Sequence, residues 1–495
     1  MSDTVMSPAA LRGAASGKAL VPLCLALALG ACALGPARGV HPAPLDGAAV
    51  GLTQAVAPNV SDRWWQTFDD PQLNELMARA TRSNPSLAEV LARLQQATAE
   101  EHRTAGALAP QVSASARVQR EQFSGRYIYP PPYAGATVWD GQLSLVLSWD
   151  LDFWGRQRAL VHAADNRIQA ASFDASAARL AVESALVTAY LEFDRSIALA
   201  EISAQMQANR VKAAELTSRR VAAGIDAHGE LEAAAAPVPE ARVDVRKSQA
   251  RIEVLRHQLA ALSGQGANAY AAIARPRLNL AGGLPLPEEL PGDLLRRRPD
   301  VQAALARVRA ADAGAEAARL ARYPDISLNA LAGTAGLHLS DLLSLPAHTY
   351  GVGPQLLLPV FDAGQLRARY LAAGSELDAA IAAYDGAVLN AVRETGDQLS
   401  LVRALSAEHL DAQQQLDHLS AAYRIAQERR QAGLSAEQTV LDAELRVLAA
   451  RAGLLATQTL EAQARVGLLV ALGGADAARE PPVSSAATAA KAGTP

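Results

Sequence analysis

The 495-residue chain carries 46 Lys and Arg against 50 Asp and Glu, a formal net charge of −4, with aromatics at only 4%. That balance leaves no electrostatic footprint for a nucleic-acid partner. The shortage of aromatic side chains excludes a thick conventional core, and the abundance of Ala suits helices packed at close range.

The chain opens on a processing signal. Arg12 and Lys18 form a basic n-region, and Ala19–Gly30 is an apolar h-region of signal-peptide length. Leu29-Gly30-Ala31-Cys32 looks like a bacterial lipobox, in which Cys32 becomes the acylated first residue. Ordinary cleavage with Cys32 merely nearby is the other reading. Cys24 leaves with the signal, so cysteine chemistry and intrachain disulfides are excluded. Residues 33–60 are rich in Pro, Gly and Ala and read as a tether. Trp64, Trp65 and Phe68 then form the densest aromatic group in the chain. They suit a hydrophobic anchor for the tether or a contact with a bilayer surface.

Asn84 and Pro85 supply an N-cap and a first-turn proline for a helix with Leu87, Leu91, Leu94 and Ala97 on one stripe. After Pro110 the period changes to two. Val112, Ala114, Ala116 and Val118 alternate with Ser113, Ser115, Arg117 and Gln119. A loop rich in Tyr and Pro follows, then a second strand with Leu143, Leu145, Leu147 and Trp149 on one side. From Arg156 to Ala223 there are 68 residues without Pro or Gly, enough helix to reach roughly 100 Å. The run ends at Gly224, and the chain returns as a helix broken by Pro237 and Pro239.

Then the sequence starts over. A shift of 214 lays Pro85 on Pro299, Leu91-Ala92-Arg93 on Leu305-Ala306-Arg307, and Pro110 on Pro324. Further on, a shift of 209 lays Gly155 on Gly364 and Gly224 on Gly433. The second copy offers two more strands, DISLNALAG and YGVGPQLLLPVF, and a second 68-residue run, from Gln365 to Ala432, without Pro but with Gly374, Gly386 and Gly396. One unit is built twice.

Four strands of about ten residues have the length of tilted membrane strands. Four cannot close a barrel, and an open edge cannot sit in lipid. Membrane strands would therefore need several chains, whereas a soluble reading needs the sheet covered by helices. The expected organisation is a signal peptide (1–31), a lipidated tether (32–60) and a first repeat (61–283). That repeat holds a helix, a β-hairpin at about 111–153 and a helical hairpin at 156–263. A crossover linker (284–298) leads to the second repeat (299–474), with a β-hairpin at about 325–361 and a helical hairpin at 365–473. The tail (475–495) is low in apolar content and reads as disordered.

The lipobox at Cys32, Trp64-Trp65 to Leu76, Asp152 to Arg156 (DFWGR), Leu290 to Val301 (LPGDLLRRRPDV) and Arg322 to Ile326 (RYPDI) together resemble outer membrane factors of tripartite efflux systems. These are TolC-like proteins, and the resemblance is specifically to the NodT-type lipoprotein branch. The resemblance implies a mainly α fold with a transmembrane β-barrel contribution. It implies a homotrimer that pools four strands per chain into a 12-stranded barrel and extends a periplasmic α-barrel below it. Gly224 and Gly433 become periplasmic tip turns that meet an adaptor (membrane fusion) protein, with an inner-membrane transporter of RND or similar type beyond. Asp442 matches an acidic position of the pore constriction. Thr439 stands where the motif has its second acid, and Glu230 occupies a matching acidic place in the first hairpin. A solvated helix charge is the other reading of both acids. The expected location is the outer membrane, with lipid anchorage at Cys32, and the expected role is a passive exit duct.

No catalytic pattern emerges. His409 and His418 lie nine apart, off the spacing of a helical metal pair, and H-E-x-x-H is absent. Gly351-Val352-Gly353 lacks the third glycine of a dinucleotide loop. No cofactor or metal is expected, and Arg296-Arg297-Arg298 reads as a surface ion-pairing cluster. A periplasmic lipoprotein adaptor is the alternative, but it needs one coiled-coil hairpin flanked by β-rich modules; this chain has two.

Overall fold

The computed structural model describes residues 41–52, 61–280 and 291–474. The expected signal peptide, Cys32, the remainder of the tether, residues 284–290 of the linker and the tail at 475–495 lie outside the described residues. The chain divides into two compact units. Among the described residues, one comprises 41–42, 102–163 and 311–378; the other comprises 43–52, 61–101, 164–280, 291–310 and 379–474.

The first unit holds four strands: β1 (Gln111–Gln122), β2 (Thr137–Asp150), β3 (Asp325–Gly336) and β4 (His348–Leu357). They form one antiparallel sheet in the order β1-β2-β3-β4. Each repeat contributes one hairpin, and β2 against β3 joins the copies. Gly333 permits that joint, since a Cβ there would lie 2.2 Å from the Leu143 carbonyl oxygen.

Nine helices follow in chain order among the described residues: α1 (Pro71–Ser83), α2 (Pro85–Gly106), α3 (Arg156–Ala222), α4 (His228–Ala235), α5 (Pro237–Leu262), α6 (Leu294–Arg297), α7 (Pro299–Leu320), α8 (Gln365–Gln431) and α9 (Glu437–Ala471). The two long helices α3 and α8 each run 67 residues. Both begin beside an aspartate that satisfies orphan N–H groups. Asp152 accepts from the Gln157 and Arg158 amides at 2.8 and 3.0 Å, and Asp362 from those of Gly364 and Leu366 at 2.9 and 2.6 Å. Backbone N–H donation at Leu366 holds the Asp362 carboxyl below its usual range. The repeat is visible in the backbone: Gly155 and Gly364 take φ +82° and +85°, and Gly224 and Gly433 take +71° and +74°.

In the second unit, Trp64, Trp65 and Phe68 are buried with Leu73, Leu76 and Met77 of α1. They pack on Leu186 to Phe193 of α3, Leu255 and Leu259 of α5, and Val466 and Leu469 of α9. The aromatic group is thus an internal anchor. Asp70, only 3% exposed, is its polar centre. It caps α1 through Gln72 N–H, and its other oxygen accepts from Tyr190 Oη at 2.9 Å and Arg277 N–H at 2.6 Å. Burial, and the Asp70 carboxylate beside it, push the Tyr190 hydroxyl well above its ordinary pKa.

The triple arginine forms ion pairs as expected, Arg297 with Asp293 at 2.7 Å, but not wholly at the surface. Leu294 is fully buried among Leu399, Val402, Leu405, Ala464, Leu468 and Leu472. Arg298, expected at the surface, is buried as well. Its guanidinium reaches Asp300 at 2.6 Å, Glu394 at 2.8 Å and the Ala471 carbonyl at 3.2 Å. It therefore shares the Ala471 carbonyl with Thr395 Oγ1 at the C-terminus of α9, where the helix dipole favours a cation.

The hairpin of α8 and α9 carries its own buried carboxylate. Glu461 accepts from Ser406 at 2.8 Å, bonds His409 Nδ1 at 2.7 Å and accepts from Arg465 at 2.7 Å. The 209 shift puts Ile197 at the place of Ser406 and Ile252 at that of Glu461, so the first hairpin is apolar there. Burial alone would raise the Glu461 pKa, but His409, Arg465 and Ser406 bring it below the ordinary carboxylate range. A lowered folded pKa contributes stability above the unfolded value, lost as pH falls through the folded value. Acid titration followed by hydrogen exchange is expected to loosen α9 around Glu461 below about pH 4.5. Glu461→Gln should flatten that acid limb; an unchanged limb would remove the carboxylate from the account.

Candidate functional site

Paired residues of an antiparallel sheet share a face, so the register sorts every strand position. One face carries Val112, Leu147, Ala330 and Val352 in one row, then Ala114, Leu145, Ala332 and Tyr350 in the next. Trp149, Leu328 and Pro354 continue it. These side chains stay open: Val112 is 66% exposed, Leu145 55%, Val352 75% and Tyr350 88%. A soluble sheet covered by helices would bury them.

The opposite face holds Gln111, Ser148, Asn329 and Gly353 in one row and Asp150, Ser327 and Gln355 in another. Its side chains bond one another. Ser115 meets Ser144 at 2.8 Å, Asn329 donates to Gln355 at 2.9 Å, and Gln119 donates to Asp140 at 3.2 Å. Among the described residues, outer strands β1 and β4 each keep an unpaired edge. An apolar face, an opposite face that is polar apart from Val146 and Leu331, and two free edges together describe a sector of a barrel wall. Aromatics gather past one end of the sheet, where Trp154 stacks on Tyr323 at 5.2 Å and donates to the Pro324 carbonyl at 2.7 Å. Among the described residues no helix is long and apolar enough to cross a membrane.

The two hairpin ends are built alike. Gly224 and Ile225 N–H groups return to the Val221 and Arg220 carbonyls, both at 2.9 Å. Those of Gly433 and Leu434 return to Arg430 and Arg429 at 3.0 and 2.8 Å. This double closure takes a left-handed residue just past the helix, which glycine adopts freely. Each turn then lifts one aliphatic side chain into solvent: Ile225 is 67% exposed and Leu434 70%. Arg220 clamps Asp226 through two bonds, at 2.7 and 2.8 Å, which hold the Asp226 carboxyl below its usual range. Arg430 pairs with Glu437 across the second turn at 2.8 Å.

Glu230 lies exposed in the first turn of α4. Asp442 lies exposed near the start of α9 and accepts from Gln438 at 3.1 Å. No hydrogen bond or ion pair joins these two acids among the described residues. The 209 shift lays Glu230 on Thr439 and Ala233 on Asp442. Each repeat thus carries one acid, about one turn apart, and the position filled by Thr439 in one copy is acidic in the other. Sequence reasoning missed Asn209, a buried residue that ties α3 to α9. The available signal was an amide in the interior of a long Ala-rich helix.

Wall, tips and repeated hairpins define an outer-membrane channel subunit of the efflux class. The sequence profile described as outer membrane efflux protein matches residues 76–275 and 290–474, and the chain belongs to that family. The fusaric acid resistance protein FusA of Burkholderia cepacia is 33% identical over 332 residues, covering 66% of this chain and 63% of FusA. The pyoverdine export outer membrane protein OpmQ of Pseudomonas aeruginosa is 30% identical, covering 90% of this chain and 96% of OpmQ. Among solved structures, the outer membrane protein VceC of Vibrio cholerae superposes with a TM-score of 0.76 at 30% identity. It covers 84% of this chain and 99% of VceC. The chain is an outer-membrane efflux channel protein.

Proposed function

We propose that three copies close their sheets, edge to edge, into one barrel that serves as the passive exit duct of a tripartite pump. The observation that carries this reading is the continuous exposed apolar face on a sheet with both edges unpaired. Closure satisfies the edges, turns the apolar face to lipid and encloses the polar face. The tips at Gly224 and Gly433 present Ile225 and Leu434 to a periplasmic adaptor, behind which stands an inner-membrane transporter of the RND or a similar type. Glu230 and Asp442 line the narrow end, where carboxylates close to the axis favour cations.

Cys32 is the lipid anchor in this reading. His41 bonds Asp378 at 2.8 Å, and Asp378 lies 13 residues into α8, roughly 20 Å from its start after β4. The nine residue steps from Cys32 to His41 can span about 30 Å when extended. The tether is long enough to bring an acyl chain to the rim of the sheet.

The double variant Ile225→Asp, Leu434→Asp tests the partner assignment. Its expected result is at least a tenfold loss of adaptor capture and of efflux-dependent resistance, with outer-membrane abundance unchanged. Full efflux by the double variant would contradict docking at the tips.

A further inference from the structure

The connection between β3 and β4 reads LHLSDLLSLPA over residues 337–347, with five leucines, one acid and no Lys or Arg. It folds into two short 3-10 turns, Leu339–Leu343 and Leu345–Ala347. These turns lie back over β2 and β3. Gly141 of β2 and Gly336 of β3 are register partners. A Cβ on Gly141 would come 2.9 Å from Leu342 Cδ1, and one on Gly336 would come 2.8 Å from Asp341 Cβ. The glycine pair opens a hollow that seats the first turn, the close approach for which a strand glycine is suited.

The register says which face is covered. Gly141 lies opposite Val118 and two residues from Leu143, so the hollow belongs to the apolar face of Val112, Leu145 and Tyr350. β2 and β3 are the central strands, so the edges of β1 and β4 stay free for closure. The outer side of the turns is apolar: Leu343 is 92% exposed, Leu345 84% and Leu339 51%. Their backbone is largely satisfied from within. The Asp341, Ser344 and Ala347 amides donate to the His338, Asp341 and Ser344 carbonyls at 3.0, 2.9 and 3.2 Å, and His348 Nδ1 bonds the Leu345 carbonyl at 2.6 Å. Such a segment suits hydrocarbon, where an unpaired backbone group is costly; a connection held in water has no need of three outward leucines. In the next row of the same face Arg120 stands opposite Trp139, its guanidinium 5.8 Å from the ring centroid. A cation on an amphipathic ring suits the headgroup level of a bilayer.

Helices α3 and α8 follow β2 and β4 at the other end of the sheet. Resting on the reading of a closed barrel with periplasmic helices, the end that carries residues 337–347 therefore faces the cell exterior. There the leaflet is built of lipopolysaccharide, a phosphorylated glycolipid with several acyl chains. We propose that residues 337–347 form a leucine flap that beds the channel in this leaflet. Leu339, Leu343 and Leu345 take acyl chains of lipopolysaccharide, and Arg120, beside Trp139, takes one of its phosphates.

Quenching tests the placement. The full chain is labelled with bimane at Leu343→Cys, or at Val352→Cys in the middle of the wall, with the unsubstituted chain as the labelling blank. Each is reconstituted into vesicles of phospholipid with brominated acyl chains. Both labels should be quenched by the brominated chains at least threefold more than by aqueous iodide. A Val352→Cys label quenched by lipid, with a Leu343→Cys label reached only by iodide, would overturn this inference alone. A Val352→Cys label reached only by iodide would sink the barrel reading and this inference with it. Binding of fluorescent lipopolysaccharide to the detergent-purified channel tests the ligand. Arg120→Gln, and the triple variant Leu339→Ser, Leu343→Ser, Leu345→Ser, should each weaken binding at least fivefold with heat-modifiable mobility unchanged. Phospholipid of equal phosphate content should compete at least tenfold less well than unlabelled lipopolysaccharide. Unchanged binding by either variant, or equal competition by phospholipid, would overturn the assignment to lipopolysaccharide.

Discussion

Arg298→Ala is expected to lower unfolding stability by about 2–4 kcal/mol, among the largest effects of any single replacement outside the sheet. The side chain is 9% exposed and answers Asp300, Glu394 and the Ala471 carbonyl together. Burial works against the charged guanidinium, yet Asp300 and Glu394 more than offset it, and its pKa is raised. Removing the guanidinium takes the buried cation from both carboxylates and leaves the Ala471 carbonyl with Thr395 Oγ1, at 3.2 Å. Both carboxylates are more than two-fifths exposed, so water takes up part of the loss and the lower half of the range is favoured. Arg298→Lys keeps the charge but loses the planar fork that serves several acceptors, and should fall between the two. Helical signal followed during denaturation in detergent measures the series. Equal midpoints for Arg, Lys and Ala would show that the cluster is not structural.

A second large effect is expected from two adjacent residues of β2. Leu145 lies mid-strand between Ala114 and Ala332 on the apolar face, whereas Ser144 lies between Ser115 and Gly333 on the polar one. An arginine on a lipid-facing strand costs about 2–4 kcal/mol at the bilayer midplane, while lumen positions tune selectivity. The cost recurs in every copy of a closed barrel. Leu145→Arg should therefore disappear from the outer-membrane fraction. Ser144→Arg should assemble near wild-type level with an altered current. Equal assembly of the pair would contradict the orientation of the sheet.

The barrel wall was legible in the sequence because a strand's period of two writes both faces into consecutive letters, as from Gln142 to Trp149. The tips were legible because a glycine ending a 67-residue helix has few other uses, and the copy at Gly433 repeats it. What escaped was set by partners distant along the chain. Arg298 looks like a solvent residue until Ala471, 173 positions later, is known to need a cap. Asp70 reads as an ordinary N-cap; its second oxygen serves Tyr190 and Arg277, 120 and 207 positions away. Asn209 belongs to a seam 232 residues in span, which only the fold shows. Local patterns specified the elements, and the polar joints between elements depended on tertiary pairing.

Single-channel recording of the purified full-length chain in planar bilayers is the most direct test of a conduit closed by several copies. Discrete conductance steps should come from a species that migrates as a trimer when unheated and as a monomer after boiling, and Asp442→Asn should weaken its cation preference. A protein released from membranes by salt as a monomer, with no conductance, would contradict it.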